Sequence, residues 1–134
     1  MKLQSIYDYP AMWTLPFQLL KEREPHQNIS HKEMPTWQQH CAFMRSRPHT
    51  AWYWFTSPVD FEAGCVYLSK QREIGVGVLK AHRGQGLGRQ AVQELMRLHP
   101  GPFLANINPM NQNSVGLFRS LGFNLLQETY SYDA

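Results

Sequence analysis

The chain has 134 residues, a length that suits one domain spanning 1–134 and leaves no room for a second. Lys and Arg exceed Asp and Glu by 13 to 10, a mildly basic balance that favours an anionic ligand but is too scattered to read as a nucleic-acid surface. No apolar run approaches the roughly 18 residues of a membrane span, and two cysteines without an apolar N-terminal signal segment point to a reduced, cytoplasmic setting with both thiols buried.

Residues 2–7 read as a short first strand, bounded by Tyr9-Pro10. Across 11–24, Trp13, Phe17, Leu19 and Leu20 recur at partly helical spacing, with Pro16 in the first turn and Thr14 as the expected cap. Residues 25–35 read as a loop carrying His26, Asn28, Ser30 and His31. Thr36 and Gln39 fit a capping box, so a second helix is expected to run to about Arg45 with Trp37, Cys41, Phe43 and Met44 facing inward.

Three strands are expected next, over 50–56, 64–69 and 73–79, with connections short enough for antiparallel hairpins. In the third, Ile74, Val76 and Val78 alternate with Gly75, Gly77 and Leu79, a period of two. Glycine inside a strand weakens it and marks a bulge or the close approach of a ligand or another backbone.

Arg83-Gly84-Gln85-Gly86-Leu87-Gly88-Arg89 follows, and Leu87, Ala91, Val92, Leu95 and Met96 then recur at helical spacing. Strand, glycine loop, helix is an arrangement that aims backbone N–H groups and the positive end of a helix dipole at one concavity, a natural phosphate site. It is neither a nucleotide-triphosphate loop, since no Lys-Ser or Lys-Thr pair follows, nor the spacing of a dinucleotide fingerprint. A tight strand-to-helix turn with no ligand is the competing reading. Beyond Pro100-Gly101-Pro102, residues 103–107 read as a buried strand parallel to the third, and a last helix over 111–121 stops at Gly122.

Arg83-x-x-Gly86-x-Gly88, placed after the strand-end Val78, resembles the acyl-CoA loop of the GCN5-related N-acetyltransferases. Asn106-Ile107-Asn108-Pro109-x-Asn111-x-x-Ser114, followed by Leu117 to Phe123 with its Leu-Gly-Phe ending, resembles that family's later strand and helix. Two ordered motifs at a compatible separation are far more specific than either alone. The resemblance implies an α/β (α+β) GNAT fold: a central mixed sheet of six or seven strands, flanked by about four helices, with splayed parallel central strands. It also implies acetyl-CoA as acyl donor, held by Val76, Val78, Arg83, Gly84, Gln85, Gly86, Leu87, Gly88, Arg89, Asn106, Asn111, Ser114 and Phe118. Residues 124–134 suffice for one strand where the family ends in two, so an edge is left to be covered or a second copy completes it as a homodimer.

The resemblance further implies direct transfer to an amine, with a backbone N–H near Val78 for the oxyanion. Glu73, five residues before Val78, is the expected base; its alternative is a strand-end carboxylate paired with Lys70 or Arg72. His31 and His40 are further candidates, although the spacing of His26, His31 and His40 matches no metal pattern and a loop and a helix surface also explain them. Phe118 stands where many members carry a tyrosine acid, which leaves Tyr130, Tyr132, water or an unassisted thiolate. The expected acceptor is a small-molecule primary amine such as an amino sugar. The aromatic run Trp52-Tyr53-Trp54-Phe55 is open to readings as core or as a sugar platform. A protein N-terminal or lysine acetyltransferase, a nucleic-acid modifier and a non-catalytic acyl-CoA-binding module are the alternatives.

Overall fold

Alternation along one aromatic strand sets the architecture. In a computed structural model, which describes residues 1–24 and 33–132, Tyr53 and Phe55 turn to one face of the sheet while Trp52 and Trp54 turn to the other. Their strand is β2 (His49–Thr56), paired antiparallel on one side with β1 (Gln4–Ser5) and on the other with β3 (Glu62–Ser69), which pairs antiparallel with β4 (Ile74–Val78). The β3–β4 turn is short and tight: Arg72 adopts φ 69°, and the Ser69 hydroxyl accepts from the backbone N–H of Gln71 and of Glu73.

Each face is covered by two helices. Against the first lie α3 (Leu87–Leu98) and α4 (Gln112–Ser120), where Phe55, Val66, Leu68, Ile74, Val92, Leu95 and Phe118 form one buried cluster. Each large apolar side chain taken from water in this cluster contributes about 1.5–3 kcal/mol. Against the second face lie α1 (Thr14–Lys21) and α2 (Trp37–Arg45), with Ile6, Trp13, Leu15, Cys41, Met44, Trp52 and Cys65 between them and the sheet. Both cysteines are free and buried.

The capping box forms as expected: Gln39 N–H donates to Thr36 Oγ1 at 3.1 Å, and the Gln39 side chain accepts from Thr36 N–H at 2.9 Å. The face assigned to that helix needs correction. Cys41 and Met44 are buried, but Trp37 and Phe43 are exposed at 43% and 46%, and His40 takes the inner position at 2%. His40 Nε2 lies 2.8 Å from the Trp13 carbonyl oxygen, which satisfies a polar group that helix periodicity places near the boundary. The cap of α1 differs too. Trp13 precedes the helix without a side-chain bond, and Thr14 is its first residue.

The strand count is lower than expected. Among the described residues the sheet has four strands, all antiparallel, instead of a mixed six or seven. The expected strand over 103–107 reduces to one parallel bridge, Glu73 with Leu104. Residues 124–132 form no strand, and Leu125, Leu126, Tyr130 and Tyr132 are 72–91% exposed. Among the described residues the four α-helices match the expected number.

Candidate active site

The outer edge of β4 is open. Glu73 C=O accepts from Ser69 N–H and Leu79 N–H donates to Ala63 C=O, both at 2.8 Å, so the odd-numbered residues turn their backbone groups toward β3. Ile74 N–H points the other way and meets Leu104 C=O at 2.8 Å. By the period of two, Val76 and Val78 also point outward. Among the described residues no backbone hydrogen bond continues the pairing with residues 105–108 past Ile74. Of the expected pair of splayed parallel strands, only the bridge between Glu73 and Leu104 forms among the described residues. One outward acceptor is occupied: Arg83 Nε donates to Val78 C=O at 3.0 Å.

The open edge ends at the glycine loop. Gly84 and Gly86 adopt φ of 80° and 75°, left-handed conformations that cost an L-residue about 1–2 kcal/mol. A Cβ at either would meet nothing within 4 Å, so the space in front of the loop is free. Gly86 also caps α3, no side chain bonds to that cap, and the first-turn N–H groups are left for a ligand. Gln85 and Arg89 are exposed, and Arg89 Nε donates to Ser120 Oγ at 3.2 Å, tying the loop side of α3 to α4.

Other expected donor-site residues have structural duties. Leu87 and Gly88 are buried behind the loop, and a Cβ on Gly88 would come within 3.3 Å of Leu117 and 3.5 Å of Val78, so this glycine serves the approach of α3 to its neighbours. Asn111 caps α4 by accepting from Ser114 N–H at 3.3 Å. Phe118 is 4% exposed, with its ring edge-on to Phe123 at 5.1 Å.

Glu73 has a partner, though not a cation. Asn106 donates its side-chain amide to the Glu73 carboxylate, and no ion pair with Lys70 or Arg72 forms among the described residues. The odd parity of Glu73 places its side chain on the α1/α2 face, with Gly75 and Gly77. Sequence reasoning missed what else lies there. Tyr67 sits opposite Gly75, and its hydroxyl feels the charges of both Glu73 and Arg23. Lys80 N–H donates to the Glu22 carboxylate at 2.8 Å, which fixes the end of α1, and hence Arg23, beside the end of β4. The signal that could have revealed Tyr67 is the register of the hairpin.

Of the other expected catalytic groups, His31 lies outside the described residues, as do His26, Asn28 and Ser30. His40 is buried against the Trp13 carbonyl oxygen. Tyr130 donates to Glu128 at 2.8 Å in the exposed tail, and Tyr132 is 91% exposed. Among the described residues no three His, Cys, Asp or Glu side chains gather as a metal site, and no helix is long and apolar enough to cross a membrane.

The family described as Acetyltransferase (GNAT) family matches residues 13–123, a span that takes in the strand edge, the glycine loop and the helix that follows it. The chain belongs to the GNAT family. Solved GNAT-like structures agree with this fold. One is yncA of Salmonella typhimurium with its cofactor acetyl-CoA, 20% identical at TM-score 0.66 over 91% of this chain and 77% of that one. An N-acetyltransferase of Staphylococcus aureus Mu50 is 18% identical at TM-score 0.66, covering 91% and 81%. A ribosomal-protein-alanine N-acetyltransferase of Brucella melitensis is 19% identical at TM-score 0.67, covering 92% and 85%. No curated protein matches the chain by sequence.

Proposed function

We propose that the chain moves an acetyl group directly from acetyl-CoA to the primary amine of a small molecule, an amino sugar being the first to try. The observation that carries this reading is the outer edge of β4, where Val76 and the Val78 N–H have no backbone partner among the described residues; it ends at the glycine loop, and Glu73 lies on the α1/α2 face. The loop fits the pyrophosphate of CoA. Gly84 and Gly86 leave open space, the first turn of α3 offers uncapped N–H groups, and Arg83 and Arg89 add charge. The outward N–H and C=O of Val76 and the N–H of Val78 suit the amides of a pantetheine arm laid along the edge as an extra strand. Acetyl-CoA bound to yncA, a protein of similar fold, supports the same donor here.

The proton steps follow from what each residue can do. Glu73, oriented by the Asn106 amide, accepts a proton from the amine as it attacks, and the Val78 N–H stabilises the oxyanion. Buried Phe118 has no proton to give, so the CoA thiolate leaves without a side-chain acid on α4. Glu73 bonds to Asn106, and Tyr67 lies in the field of both Glu73 and Arg23, a cation that disfavours a polycationic peptide and so favours a small acceptor. The exposed apolar tail over 124–132 supports assembly as a homodimer, in which a second copy covers that surface.

The test is thiol release from acetyl-CoA against amino sugars, polyamines and peptides, with wild type and Glu73→Gln. A small amine should be acetylated, and Glu73→Gln should slow that reaction about 10²- to 10⁴-fold without loss of acetyl-CoA binding. Turnover of peptides alone would refute the small-molecule reading, and donor binding without any turnover would mark a non-catalytic binding module.

A further inference from the structure

A second polar group stands beside Glu73 on the α1/α2 face. Tyr67 of β3 pairs in register with Gly75 of β4, so Glu73, two residues earlier on β4, is its diagonal neighbour on the same face. Gly75 is what allows this. A Cβ there would overlap Cε1, Cζ and the hydroxyl of Tyr67, so the tip of the ring lies directly against the strand, one residue before Val76. From behind, His49 stacks on the ring at 4.0 Å and 4°, and Trp52 meets it edge-on at 5.7 Å. The ring is therefore clamped. Burial raises the pKa of the phenol, which is neutral at pH 7, and no hydrogen bond from the described residues uses its hydroxyl.

A neutral primary amine has one lone pair and two N–H bonds, and the attacking lone pair must be kept free. Two acceptors on one face, aligned beside the strand edge that receives the thioester, can hold both N–H bonds at once. We infer that the Tyr67 hydroxyl oxygen accepts one N–H of the incoming amine while the Glu73 carboxylate accepts the other, which makes Tyr67 the residue that selects primary over secondary amines. Glu73 takes the proton of its own N–H as the new C–N bond forms, and Tyr67 keeps its proton. This inference rests on the acetyltransferase reading above and deepens it.

The experiment compares wild type with Tyr67→Phe, which keeps the ring and its stacking on His49. Thiol release from acetyl-CoA is measured with benzylamine and with N-methylbenzylamine as probes, alongside acetyl-CoA affinity and Tm. Tyr67→Phe should lower kcat/KM for benzylamine by about tenfold and leave that for N-methylbenzylamine within about twofold, at unchanged Tm and acetyl-CoA affinity. Equal losses for both amines, or none for either, would overturn the inference, as would a wild type that binds acetyl-CoA but cannot acetylate benzylamine. A wild type that does not bind acetyl-CoA would overturn the acetyltransferase reading itself, a distinct result.

Discussion

Gly75→Ala tests the clamp on Tyr67 through stability. The added Cβ would fall within the Tyr67 ring, and the ring cannot simply retreat because His49 lies stacked on it at 4.0 Å and Trp52 stands at 5.7 Å. Relief must come from rotating Tyr67 off its rotamer or shifting β4 against β3, and overpacking of this kind costs about 2 kcal/mol. For a domain of this size that corresponds to a fall in Tm of roughly 6–10 °C. The control is Gly116→Ala on α4, where a Cβ meets nothing within 4 Å and the better helix propensity should stabilise by about 0.5–1 kcal/mol. Thermal unfolding followed by circular dichroism reads both variants. Adding Tyr67→Leu to Gly75→Ala should restore part of the lost stability, because the two changes share one space. A Gly75→Ala protein whose Tm matches wild type within about 1 °C would refute the close approach of Tyr67 to the strand.

Two further outcomes follow from burial. His49 is held neutral, its pKa lowered to about 4 by desolvation, while in the unfolded chain it protonates near 6.5. Its contribution is therefore complete above pH 6.5 and is lost as the pH falls toward 4; with the ring partly exposed, about 1 kcal/mol should disappear from urea-derived stability between pH 7 and 5, and His49→Phe should flatten that slope. Burial also raises the Cys65 thiol well above its usual range, and Cys41 is buried as well, so a disulfide-exchange reagent should find no fast-reacting thiol in the native protein. A stoichiometric burst of reaction before unfolding would contradict that packing.

Local rules were readable in the sequence where a few adjacent residues decide the outcome. Thr36 and Gln39 satisfy one another within four residues, so the start of α2 was legible, and alternation around Gly75 and Gly77 located β4. The glycine loop was legible because left-handed backbone at positions 84 and 86 leaves little choice of residue. What escaped depends on distant partners. His40 is buried because a carbonyl 27 residues earlier accepts it, and no helical pattern contains that fact. Trp37 lies exposed but edge-on to Phe17 at 5.2 Å, an aromatic neighbour on another helix rather than a core position. Gly75 was read as marking a bulge or the close approach of a ligand or another backbone, whereas it makes room for the Tyr67 side chain, something only the β3–β4 register reveals. The segment over 103–107 has the composition of a strand, yet among the described residues it pairs only at Leu104, and composition does not say how far a pairing extends.

The most direct test of the account is calorimetric titration of acetyl-CoA into wild type and Gly86→Trp. Gly86 sits at φ 75° at the mouth of the loop, with open space in front of it, so a large side chain there blocks the phosphates while leaving the two cores untouched. Wild type should show saturable one-to-one binding, Gly86→Trp should lose it, and the ligand-free variant should melt about 3–10 °C below wild type, as a left-handed Trp at this position requires. Equal binding by both proteins would contradict a donor site at the glycine loop, and no binding by wild type would contradict the acetyl-CoA-dependent function as a whole.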